Sequence, residues 1–206
     1  MIKKDINQND ILNSELLNII DYNYIFDEKP IKRIKTKPTL ENSKSRLEAL
    51  KNKIEAIENC DLKKNASKIV FADGNIQSSI MIIGEGPGQK EDELGKPFVG
   101  DAGNLLNKML KAINIERDKI YITNVVNYRP PNNRKPKPNE INRYAEFLKE
   151  HISIIDPKIL ILMGSTAMEA ILGSNKRISK ERGIWKEVII KKKSYKTIVT
   201  FHPAYL

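Results

Sequence analysis

Apolar residues recur at helical spacing across residues 10–20 (DILNSELLNII), at Ile11, Leu12, Leu16, Leu17, Ile19 and Ile20, and predict a first helix. Residues 27–40 (DEKPIKRIKTKPTL) carry basic charge, two prolines and no apolar stripe, so they read as a linker. A second helix is expected over 43–58, with Leu47, Leu50, Ile54 and Ile57 on one face. The expected organisation is an N-terminal helix and basic linker over 1–42, then one domain over 43–206.

From residue 79 the pattern alternates between strand and helix. Ile80-Met81-Ile82-Ile83 is a short unbroken apolar run, the mark of a strand covered on both faces. Residues 102–113 are amphipathic, and 119–123 read as a strand. After a proline-rich stretch, 139–155 predicts a long helix, 158–163 another buried strand, and 164–172 a further helix. Residues 186–191 and 195–201 read as β around a polar turn at 192–194. Strands separated by helices predict an α/β fold: three α/β/α layers around a central, mainly parallel sheet. A ligand site is then expected at the carboxyl ends of the strands.

Composition narrows the function classes. No apolar run approaches the roughly 18 residues of a membrane span, and no secretory leader pattern opens the chain. The single cysteine, Cys60, excludes an internal disulfide framework and a thiolate-rich metal site built by this chain alone. A reducing cytoplasm and a monomer are expected. Lysine and arginine outnumber acids 36 to 26, a formal charge of +10. That balance suits a polyanion, because basic side chains release counterions from phosphates. General solubility of a Lys-rich chain explains it equally well.

Three strand-end loops carry candidate chemistry. In Gly84-Glu85-Gly86-Pro87-Gly88, glycines directly after a buried strand let backbone approach a ligand. A nucleotide-cofactor loop fits poorly, because Gln89 stands where a dinucleotide fingerprint needs Gly or Ala and no Lys-Ser or Lys-Thr follows. Asn124 closes a strand and can offer an amide donor and acceptor to a planar base edge. It leads into Arg129-Pro130-Pro131-Asn132-Asn133-Arg134-Lys135-Pro136, a basic, proline-stiffened stretch suited to phosphate contact. The third loop is Phe201-His202-Pro203-Ala204-Tyr205-Leu206. His151 sits inside a long helix and receives no role.

Taken in order, these loops resemble the motifs of family 4 uracil-DNA glycosylases. Gly84–Gly88 with Glu91-Asp92 and Gly95 to Gly103 is similar to the first motif. Ile122-Thr123-Asn124 with Arg129-Pro130-Pro131 is similar to the second, and His202-Pro203-Ala204-Tyr205-Leu206 to the closing one. The resemblance covers roughly residues 49–206. It implies flipping of uracil from DNA and hydrolysis of its N-glycosidic bond in base excision repair. By resemblance Phe98 stacks on uracil, Asn124 bonds its edge, Glu91 crowds C5, and His202 donates to O2. Gly84, Glu85 and Gly86 line the base, and Leu206 is the wedge left behind the flipped nucleotide. Arg129, Arg134 and Lys135 are DNA-contact candidates. The water-activating Asp of related families would align with Gly86, leaving Glu85 as the nearest carboxylate.

Two departures bear on activity. The family's four-iron four-sulfur cluster needs thiolate ligands, and the corresponding positions are Ile57, Cys60, Tyr128 and Tyr144. The expectation is no cluster and no metal. Family members also continue past the closing motif with Leu-Arg and a helix, so a truncation after Leu206 is expected. The alternative to an active enzyme is a catalytically impaired DNA-binding remnant of the same fold.

Overall fold

The computed structural model describes residues 39–206; the expected helix at 10–20 and all but the last two residues of the expected linker lie outside them. Helix α1 (Leu40–Glu55) starts three residues ahead of the expectation, because Thr39 Oγ1 accepts from Asn42 N at 3.4 Å and caps it. Its first turn faces solvent, with Leu40 exposed, and so adds no position to the buried stripe. The helix stops at Glu55, and the chain then turns to bury Ile57 and Cys60 before the short α2 (Asp61–Asn65).

Six strands follow: β1 (Asp73–Gly74), β2 (Ile80–Gly84), β3 (Tyr121–Asn124), β4 (Ile159–Met163), β5 (Trp185–Ile190) and β6 (Lys193–Thr200). They form one sheet in the order β1-β3-β2-β4-β6-β5. The four central strands are parallel, and the edge strands β1 and β5 pair antiparallel. Between them run α3 (Gln89–Leu94), α4 (Asp101–Ala112), α5 (Pro138–Ile155), α6 (Ser165–Leu172) and α7 (Ile178–Glu181).

Strand alternation divides the core into two layers. Ile82, Ile122 and Met163 pack with Leu106 and Leu110 of α4 on one face. Met81, Ile83, Tyr121, Leu160 and Leu162 pack with Leu50 and Ile54 of α1 and Tyr144, Leu148 and Ile152 of α5 on the other. The expected α/β/α architecture is present. The helical crossovers after β2 and β3 lie on opposite faces, so connections diverge on either side of β2 and β4, and a crevice opens at their carboxyl ends.

The β5–β6 turn falls one residue earlier than expected, at Lys191-Lys192, where φ is 46° and 67°. Positive φ at both centres makes a type I′ hairpin, which usually announces itself as Asn-Gly; two lysines carry no such signal. Strand β1 was not expected at all. Two residues are too short for a period, and Asp73-Gly74 joins the sheet only through its pairing with Tyr121 and Ile122. No helix among the described residues is long and apolar enough to cross a membrane.

Candidate active site

The carboxyl ends of the parallel strands surround a cleft of about 170 Å³. Glu85 and Gly86 after β2, Asn124 at the end of β3 and His202 after β6 all line it, together with Glu91, Phe98 and Arg134. Sequence reasoning named each of these residues, and the fold brings them together. Arg129, Lys135 and Leu206 stand outside the cleft.

Gly84 explains how the walls meet. It pairs with Asn124 across β2 and β3, and a Cβ on it would lie 2.5 Å from Asn124 Oδ1 and 2.6 Å from two Phe98 ring carbons. Only hydrogen at this position lets both side chains converge. Asn124 itself is 3% exposed. No described residue engages its amide, so donor and acceptor remain available to a ligand.

Phe98 is 5% exposed and has φ of 52°, a left-handed conformation rarely adopted by an aromatic residue. Glu91, at the third position of α3, holds the segment after it. Its Oε1 accepts from Val99 N at 2.9 Å and Gly100 N at 2.8 Å, while Oε2 accepts from Gly88 N at 3.2 Å.

His202 caps a short turn, its Nδ1 accepting from Ala204 N at 3.2 Å. An accepting Nδ1 places the proton of the neutral ring on Nε2, which is then a donor. Burial lowers the imidazole pKa from its ordinary value, and the Glu85 and Glu91 charges oppose that shift without cancelling it. The ring is thus a neutral donor at pH 7. Its centroid is 5.4 Å from that of Phe98, with 30° between the planes. A base sandwiched between two rings needs two contact gaps, about 7 Å in all. The 5.4 Å spacing therefore leaves no room for a base sandwiched between the two rings.

Several residues that shape the site were missed. Thr166, buried in the first turn of α6, donates its hydroxyl to Glu85 Oε2 and fixes that carboxylate beside the cleft. Gly164, at the end of β4, backs the histidine: a Cβ there would meet His202 Cβ at 3.1 Å. The signal available in the sequence was positional, since β4 is parallel to its neighbours and its end belongs to the same rim. The basic loop is less free than its composition implies. Arg134 forms a bidentate pair with Glu140 at 2.6 and 2.8 Å, and Arg129 Nε donates to Asn133 Oδ1 at 2.7 Å. The exposed Lys135 lies 3.9 Å from Glu169.

The four cluster positions also converge. Ile57, Cys60, Tyr128 and Tyr144 are 8%, 5%, 4% and 1% exposed within one apolar layer, and Cys60 Sγ lies 3.5 Å from Tyr144 Oη. Burial raises the pKa of both phenols, and the neighbouring thiol raises them further. Neutral phenols, one alkyl group and one thiol are not the donor set of an iron–sulfur cluster. Among the described residues no group of three or more His, Cys, Asp or Glu side chains is placed to hold a metal ion.

A family model described as the uracil DNA glycosylase superfamily matches residues 71–206. A type-4 uracil-DNA glycosylase of Thermotoga maritima is 40% identical over 161 residues, 78% of this chain and 82% of the relative. That of Sulfurisphaera tokodaii is 40% identical over 166 residues, 77% and 74% of the two chains. The type-4 enzyme of Archaeoglobus fulgidus is 37% identical over 162 residues, 77% and 81%. With a base-sized cleft at the strand ends and this breadth of similarity, the chain belongs to the uracil DNA glycosylase superfamily, in its type-4 branch.

Proposed function

We propose that this chain removes uracil from DNA by hydrolysing the N1–C1′ glycosidic bond, leaving an abasic site. The observation that carries the proposal is the meeting of a neutral His202 Nε2–H, the open Asn124 amide and the Phe98 ring in one cleft. Flipping costs a few kcal/mol, which the pocket returns through stacking and edge hydrogen bonds. As N1–C1′ breaks, its electron pair moves onto the base, and negative charge grows at O2. A preformed donor aimed there is worth about 3 kcal/mol, some hundredfold or more in rate. Water then bonds to C1′ and loses one proton to solvent, and the uracil anion takes up a proton from solvent, so the products are neutral uracil and a sugar hydroxyl. Glu85, tethered by Thr166, supplies a carboxylate at that side of the cleft to orient the water and offset positive charge on the sugar.

The remaining roles follow the surface. Lys135 and Arg129 flank the cleft as phosphate contacts, whereas Arg134, tied to Glu140, chiefly fixes the proline-rich loop. Leu206, 73% exposed at the rim, serves as the wedge behind the flipped nucleotide. Glu91 closes the C5 side through the backbone it holds. All these groups come from one chain, in keeping with a monomer that size-exclusion chromatography would reveal.

The protein works without an iron–sulfur cluster, the buried Ile57–Cys60–Tyr128–Tyr144 packing serving as the cross-link between the turn after α1, the loop after β3, and α5. Purified protein should be colourless and retain uracil release after chelation. A visible absorbance band with about four irons per chain contradicts this. The activity is tested with a labelled oligonucleotide containing one uracil, treated with protein and then alkali. DNA binding without uracil release would instead identify a non-catalytic binder.

A further inference from the structure

Phe98 holds a left-handed backbone conformation, with φ of 52°, that nothing in an aromatic side chain favours. Its carbonyl is pressed against α4, since a Cβ on Gly103 would lie 1.9 Å from Phe98 O. The same carbonyl accepts from Arg117 Nη1 at 3.1 Å, and Pro97 O accepts from Arg117 Nη2 at 2.7 Å. The other donors of this guanidinium reach Asp73 Oδ2, at 3.1 Å from Nε and 3.0 Å from Nη2, and Asn107 Oδ1 at 3.1 Å. Four N–H groups thereby donate hydrogen bonds while Nη2 also closes the ion pair with Asp73, and the planar fork fixes the spacing of the groups it joins.

Asp73 lies on β1, which pairs with β3, the strand that ends in Asn124. Arg117 therefore ties the backbone of the ring on one wall to the strand that carries the amide on the other. On the opposite side of the loop, Glu91 takes the amides of Val99 and Gly100. A cation grips the carbonyls before and at Phe98, and an anion grips the two amides after it.

We infer that Arg117, seated on Asp73 and Asn107, is a positioning residue that holds Phe98 in its left-handed conformation, ready for the face of the flipped base. The inference rests on the uracil-excision reading for its catalytic consequence, and on geometry alone for the clamp itself. Arg117 touches no reacting atom. It acts through the ring, so its loss lowers the rate of bond cleavage without lowering affinity for DNA.

The test compares wild type with Arg117→Ala, Arg117→Lys and Asp73→Asn in three measurements. Amide hydrogen exchange across residues 96–100 should quicken at least about tenfold in Arg117→Ala, while β2 and β4 stay protected. Single-turnover uracil release at saturating enzyme should fall at least about tenfold, with the Kd for uracil-free duplex within about twofold. Lysine should restore only part of the rate, because a point charge cannot span the same acceptors. Unchanged exchange in the loop overturns the clamp, whether or not the wild type releases uracil. So does a parallel loss of rate, DNA affinity and protection throughout the sheet, which marks a merely structural residue. A wild type that releases no uracil, with the exchange effect present, refutes the activity and leaves the clamp standing.

Discussion

Gly84→Ala tests the site with the smallest possible change. The new methyl would sit 2.6 Å from Cε2 and Cζ of Phe98 and 2.5 Å from Asn124 Oδ1. Ordinary carbon contacts lie at about 3.5–4.0 Å, so the ring or the amide must retreat by about 1 Å. The backbone of Gly84 is not among those with positive φ, so the cost is crowding rather than conformational strain. Overpacking of this kind costs about 1–3 kcal/mol of stability. For a domain of this size that lowers Tm by roughly 2–12 °C. A misplacement of about 1 Å at a reacting centre is worth on the order of a hundredfold in rate. The assay is single-turnover uracil release from a labelled oligonucleotide, run well below Tm beside a thermal melt. A variant that stays folded yet loses about a hundredfold in rate matches the geometry. Activity within threefold of wild type would refute the claim that Phe98 and Asn124 form opposite walls of the base pocket.

Other expectations follow from particular contacts. Arg134→Ala should leave the salt dependence of DNA binding unchanged, because its guanidinium is spent on Glu140; a phosphate contact would reduce the slope of log K against log salt by about 1. Cys60→Ala should keep uracil release within threefold and cost only the packing of one small side chain, which activity and melting curves would show. His151, 2% exposed between Phe71 and the Tyr121 hydroxyl, has its pKa lowered by burial to about 3. Its folded value lies below the unfolded one, so the neutral ring costs nothing above pH 6.5 and stability falls as pH drops from there towards 3. Urea unfolding should therefore show a steeper loss than in His151→Phe over that window, by up to roughly 1.4 kcal/mol per pH unit. Equal slopes would mean that the ring is not held neutral.

Legibility in the sequence followed the length and period of each signal. The runs Ile80–Ile83 and Leu160–Met163 are buried on both faces and stand out as strands, and the stripe of α5 is long enough to identify at sight. The loops after β2, β3 and β6 were legible because, taken in order, they resemble the motifs of one family; a lone histidine after a strand would by itself read as a structural or surface residue. What stayed hidden acts across space rather than along the chain. Arg117 sits in the polar run Glu116-Arg117-Asp118-Lys119, which reads as a solvated connection. Only the fold reveals that its partners are Asp73, Asn107 and the carbonyls of Pro97 and Phe98. Thr166 was hidden for the same reason, since its partner Glu85 is 81 residues away. Arg134, a DNA-contact candidate by its basic setting, is held by Glu140 six residues on, a partner that the composition of the loop did not announce.

The central claim is that a neutral imidazole meets the departing base. The most direct measurement is the single-turnover rate of uracil release by wild type and His202→Ala on the same oligonucleotide. Wild type should leave an alkali-labile site at the uracil, and the variant should be slower by about a hundredfold to a thousandfold with similar DNA affinity. Equal rates in the two proteins, or no release by either, would contradict it.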